Sequence, residues 1–134
     1  MGKSKKGLEW LNRALFISPY CFALCKTEKQ FYAELKRLEV PEKTWPDFIL
    51  GTHASATVHF FTNGAKHIDS CAIVCVRIKK GADQVAISGL LVHEAVHIWQ
   101  EIKDRIGEQR PSSEFEAYAI QSIAQNLMAA WRDN

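Results

Sequence analysis

The chain is 134 residues long, 47% apolar and 24% charged, with a formal net charge of +2. That is material for one domain, 1–134, around a single core. The small charge, with Lys and Arg scattered rather than clustered, excludes a nucleic-acid footprint, and no apolar run approaches the roughly 18 residues of a membrane span.

Residues 1–6 read as a disordered tail in which Lys6 stands where a myristoylation signal requires Ser or Thr. No basic lead runs into a short apolar core with a small-residue cleavage site. A cytoplasmic protein is expected, without nucleic acid or membrane partners. From Leu8, the spacing of Leu8, Leu11 and Leu15 predicts a helix ending near Ser18. Ser18-Pro19 then resembles a cap and first-turn pair opening a short helix over Tyr20 to Cys25. Thr27 with Gln30 forms a capping box ahead of an apolar stripe of Phe31, Leu35 and Leu38.

Pro41, Pro46 and Gly51, interleaved with Trp45, Phe48 and Ile49, predict an ordered, partly buried loop. Ala56 to Phe61 and Ser70 to Lys79 read as antiparallel strands joined through Asn63-Gly64, the second strand buried on both faces. Asp83 caps a helix from Gln84 to about Arg105 with almost no polar face, hence central and buried. After Gly107 and Pro111 a last helix starts near Ser113 and carries Ile120, Ile123, Leu127 and Trp131. Cys21, Cys25, Cys71 and Cys75 make two C-x-x-x-C pairs among apolar neighbours, unlike the C-x-x-C of zinc ribbons or redox dithiols. Free, buried thiols are expected.

Within the penultimate helix, His93, Glu94 and His97 form H-E-x-x-H. The two His fall at i and i+4 on one helical face, with Cβ atoms roughly 5 to 6 Å apart, a separation at which two imidazoles can share one metal ion. Two rings and a carboxylate on a buried helix are costly unless they are paired or bound to metal. A catalytic zinc takes three protein ligands and keeps a fourth position open. Glu114 and Glu116 compete to be the third. Glu116 shares a stripe with Ala119, Ile120, Ile123 and Leu127 and so faces the core, whereas Glu114 shares one with Ala117, Tyr118, Gln121 and Gln125. The competing role for Glu116 is a capping box with Ser113.

His93-Glu94-Ala95-Val96-His97, followed after eighteen residues by Glu116-Ala117-Tyr118-Ala119, resembles the gluzincin branch of the zinc metallopeptidases. With Trp99-Gln100 and the stretch from Ser113 to Gln121, the chain also resembles small zincin-like proteins encoded in tailed-phage genomes. The motif resemblance covers residues 85 to 121; the first 80 match only the phage group. It implies Zn2+ held by His93, His97 and Glu116, Glu94 as general base, and a peptide or protein substrate. The Gly-x-Met-x-Asn substrate signature of gluzincin aminopeptidases is lacking, which points to endopeptidase-like rather than exopeptidase chemistry.

The expected architecture is α+β: a minimal zincin-like domain with several helices and a small antiparallel sheet near the H-E-x-x-H helix. His59, His67, Arg110 and Tyr118 are candidates to stabilise an oxyanion. His59 stands out because its strand is placed to line a cleft and pair with an extended peptide; the plainer alternative is a strand histidine facing solvent. His53 and His67 read as solvated turn residues. Gln100 and Glu101 continue the ligand face by one turn as partners for the imidazoles. The alternative to an enzyme is a catalytically silent, zinc-binding structural or interaction protein.

Overall fold

A computed structural model describes residues 7–11, 18–51, 55–62 and 70–134. Within them lie three helices and a four-stranded mixed sheet, an α+β arrangement. The sheet runs in the order β1 (Trp10–Leu11), β2 (Cys21–Cys25), β4 (Ser70–Val76), β3 (Ala56–Thr62). β3 and β4 are antiparallel, as expected, with Phe60 opposite Ala72. The sheet is nevertheless mixed rather than antiparallel, because β2 pairs in parallel with the other edge of β4, Cys21 opposite Cys71 and Cys25 opposite Cys75.

Both helices expected before residue 26 are corrected. Trp10 and Leu11 pair with Ala23 and Phe22 as a strand; residues 12–17 of that segment lie outside the described residues. Leu8 and Trp10 pack on one side of the sheet and Leu11 on the other, the period of two that defines a strand. The run from Tyr20 to Cys25 is β2. Tyr20, Phe22 and Leu24 face one layer while Ala23 and Cys25 face the other. A segment buried on both faces is apolar at every position and carries no period to read. Ser18 does not cap a helix: its hydroxyl accepts from Tyr20 N at 3.1 Å and donates to Tyr20 O at 2.9 Å, a local turn into the strand.

The sheet separates two apolar layers. Ala72, Val74 and Val76 of β4 join the first, against α2 (Gln84–Arg105) and α3 (Ser113–Asp133); Cys71, Ile73 and Cys75 join the second, against α1 (Glu28–Arg37). α1 begins as its sequence requires, with the Thr27 hydroxyl accepting from Gln30 N, while Gln30 Oε1 reaches back to Lys26 N at 3.2 Å. Buried Glu34 accepts from Leu8 N at 2.9 Å and pairs with Arg37, tying the N-terminal segment to this helix. The loop after α1 is ordered, with Trp45 Nε1 donating to Val40 O at 2.8 Å and the Tyr32 hydroxyl to Pro46 O at 3.0 Å. All four cysteines are free thiols, and burial pushes the Cys71 thiol up to about 12. The Asn63-Gly64 turn lies outside the described residues.

α2 is capped by Asp83, which accepts from Val85 N at 3.1 Å. It stops in a Schellman arrangement, with Gly107 N bonded to Asp104 O and Glu108 N to Lys103 O. Gly107 takes φ +73°, where a Cβ is strained. The helix is not buried all round. Ile87, Leu91, Glu94, Ala95, Ile98, Trp99 and Ile102 form the buried face, whereas Val85, Val92, His93 and His97 are exposed. α3 starts at Ser113, and its cap is Ser112, whose hydroxyl accepts from Phe115 N at 3.3 Å, so the Ser113–Glu116 capping box does not form. No helix among the described residues is long and apolar enough to cross a membrane.

Candidate metal and catalytic centre

One turn of α2 brings His93 and His97 together. Their Nε2 atoms lie 3.1 Å apart, with the rings edge to face. Two nitrogens each 2.0–2.1 Å from a tetrahedral zinc stand roughly 3.3 Å apart, so the pair is close to the spacing such an ion needs. Gln100 Oε1 lies 3.2 Å from His97 Nδ1. With that oxygen as acceptor, Nδ1 carries the ring proton and Nε2 keeps its lone pair, so His93 Nε2 donates to it across the 3.1 Å gap, a hydrogen bond that a shared ion would replace. The partner role anticipated for Gln100 is thus present in the geometry.

Glu94 projects from the same turn but is only 4% exposed. Burial raises its carboxyl above the ordinary range, and the adjacent His93 and His97 partly offset that shift. No hydrogen bond to its carboxylate is found among the described residues, yet its oxygens are not among the fully enclosed atoms left without a partner: the group borders the cleft.

These side chains line one wall of a cleft of about 350 Å³. The opposite wall is β3, the edge strand, through Ala56, Thr57, Val58 and Phe60. Gln100 and Glu101 extend the α2 wall. Glu101 Oε2 lies 3.5 Å from the hydroxyl of buried Tyr20, whose ring meets Phe60 edge-on and lies beneath the Arg105 guanidinium.

Glu116 is not brought to the imidazoles. Its Oε2 accepts from Trp99 Nε1 at 2.8 Å and lies 3.8 Å from Lys103 Nζ. Trp99 sits roughly 120° and 160° around the helix axis from His93 and His97. α3 therefore docks its carboxylate on a different face of α2 from the one carrying the imidazoles. Glu116 does turn toward a neighbouring helix, as its apolar stripe implies, while Glu114 is exposed. Among the described residues, no three His, Cys, Asp or Glu side chains gather as a metal-binding group.

His59 belongs to neither of its expected settings. Adjacent strand residues face opposite ways, so when Val58 and Phe60 face α2, His59 turns to the α1 side. There it is buried, stacks on Phe31, and lies 2.9 Å from Phe48 O through Nε2. Arg110 and Tyr118 are exposed and do not line the cleft. His53 and His67 lie outside the described residues. Tyr20, absent from the sequence-derived site, stands at the cleft end; reading residues 20–25 as a strand would have put it on the α2 side.

No family model matches the chain, and neither a curated protein nor a solved structure matches it.

Proposed function

We propose that the protein is a zinc-dependent hydrolase of peptide bonds, with His93 and His97 as metal ligands and Glu94 as general base. The observation that carries this reading is the meeting, in one turn facing one cleft, of two imidazole nitrogens near ligand spacing and a carboxyl whose pKa burial raises. A carboxyl shifted in this way at a cleft wall beside two imidazoles is suited to acid–base chemistry.

When bound, zinc lowers the pKa of a coordinated water to about 7 and polarises a carbonyl. His93 and His97 would hold it through Nε2, with Gln100 fixing the His97 ring. Glu94 takes a proton from the attacking water onto its carboxylate and delivers it to the nitrogen of the leaving amine. β3 lies across the cleft as an edge strand and offers a wall for an extended peptide or protein segment. Glu116, docked on another face of α2, would reach that ion only if α3 repacked against α2.

The commitment of Glu116 to Trp99 and Lys103 leaves two protein ligands among the described residues, short of the three of a catalytic site and the four of a structural one. It favours a second reading, an interaction protein without turnover in which the imidazole pair binds zinc. One experiment separates the two: zinc content by elemental analysis, and cleavage of a diverse peptide library, for the wild type and Glu94→Gln. One zinc per chain in both, with cleavage by the wild type alone, is the outcome expected of the hydrolase. Zinc in both and cleavage in neither leaves the binding protein. Absence of zinc from chelator-free preparations of both removes the metal reading.

A further inference from the structure

The end of the cleft beyond His97 carries a charge that the hydrolytic step does not use. Glu101 lies one turn after His97 on the same wall, partly exposed. Among the described residues it has no ion-pair partner and no Lys or Arg lines the cleft. Arg105, one turn further on, is placed to neutralise it but is drawn elsewhere, its guanidinium over the Tyr20 ring and its Nη2 3.3 Å from Ser70 Oγ. The Tyr20 hydroxyl approaches Glu101 Oε2 without supplying a charge. Across the cleft the wall is Val58 and Phe60, apolar and unable to neutralise a carboxylate.

We infer that Glu101 forms a subsite for a cationic group of the substrate, an ammonium or guanidinium borne on a side chain or a free α-amine. This rests on reading the cleft as a peptide site. Four helical residues separate His97 from Glu101, about 6 Å along the axis. An extended peptide advances about 3.3 Å per residue, so the cationic group belongs to a residue roughly two positions from the bond held over the imidazoles. The aliphatic stem of a Lys or Arg suits the Val58 and Phe60 wall while its head meets Glu101.

The test is equilibrium binding, with chelator present so that nothing turns over. Three dye-labelled peptides share one short apolar sequence: capped and neutral, capped with a single Lys, and uncapped with a free α-amine. Glu101 is partly exposed and outside any ion pair among the described residues, so Glu101→Gln is expected to fold, which far-UV circular dichroism checks. The wild type is expected to bind one of the cationic peptides about tenfold tighter than the neutral one, equivalent to about 1.4 kcal/mol. Which peptide wins identifies the source of the charge. Glu101→Gln abolishes the preference, and Glu101→Lys transfers it to a peptide carrying Glu. Equal affinities in the wild type, a preference surviving Glu101→Gln, or no binding of any peptide overturns the subsite. Cleavage is scored separately. Charge preference without cleavage of any library peptide sinks the hydrolase and leaves the subsite, while cleavage without charge preference does the reverse.

Discussion

Replacing Glu94 by Gln removes a charge and keeps the shape, and the structure sets both the sign and the size of the effect. Glu94 is 4% exposed, and its carboxyl borders the cleft rather than being sealed from it. Partial desolvation of the charged form costs about 1–3 kcal/mol; the nearby imidazoles return part of this. A neutral amide of the same size should therefore stabilise the metal-free fold by about 1–2 kcal/mol near pH 7. With the unfolding entropy of an average chain of 134 residues, that raises Tm by about 4–7 °C. The pH dependence follows from the raised carboxyl. Between the ordinary glutamate value and the higher folded value, the folded state holds the proton more tightly than the unfolded chain. Stability is therefore lost as pH rises through that window and recovered as it falls. The gain from Glu94→Gln is then present at about pH 7 and nearly gone at about pH 4, where both side chains are neutral. Thermal melts of both proteins in chelator at the two pH values measure this. A lower Tm for the variant at the higher pH, or an equal gain at both, refutes the assignment of Glu94 as a partly desolvated charge.

Zinc at about 100 times its dissociation constant should stabilise the wild type by about 2.7 kcal/mol, seen as a Tm rise reversed by chelator; His97→Ala should lose both the rise and the bound metal. Glu116→Ala strands Trp99 Nε1 and should cost about 1–3 kcal/mol in urea unfolding, whereas Glu116→Gln, which keeps an acceptor, should cost less than half as much. If zinc stoichiometry survives Glu116→Ala, that residue is no ligand. Burial lowers the pKa of His59, so the unfolded chain takes up its proton first, and stability is lost as pH falls from the ordinary histidine value toward the lower folded one. His59→Phe should flatten that part of the pH profile while costing about 1 kcal/mol near neutrality, because Phe48 O loses its donor. An unchanged acid limb in the melts would remove His59 from this role.

What the sequence revealed was local. Asp83, Thr27 and Gly107 are punctuation whose chemistry acts within one turn, so the starts of α1 and α2 and the end of α2 were legible. The i, i+4 relation of His93 and His97 is likewise a property of a single helix. The Tyr20–Cys25 strand was not legible, because it becomes a strand only by pairing with β4 and burying both faces. Alternation along β3 decides that Val58 and Phe60 meet α2 while His59 does not, and that choice needs the layer on each side to be known. Glu116 shows the limit most clearly. Its stripe told which way it faces from α3, but which face of α2 receives it depends on helix packing, and the receiving group is Trp99 Nε1 rather than the imidazoles.

The parallel pairing of β2 with β4 joins positions 21 and 71, about fifty residues apart along the chain. Closing so long a span carries an entropic cost that only the finished sheet repays. The spacing of His93 and His97, by contrast, is guaranteed by one turn of one helix. The two halves of the cleft thus differ in how easily substitution damages them. Core changes in β2 or β4 should loosen the β3 wall while the imidazole pair stays at its spacing. Under the proposed peptide site, a lineage of such proteins could therefore drift in what it recognises without first surrendering the two nitrogens.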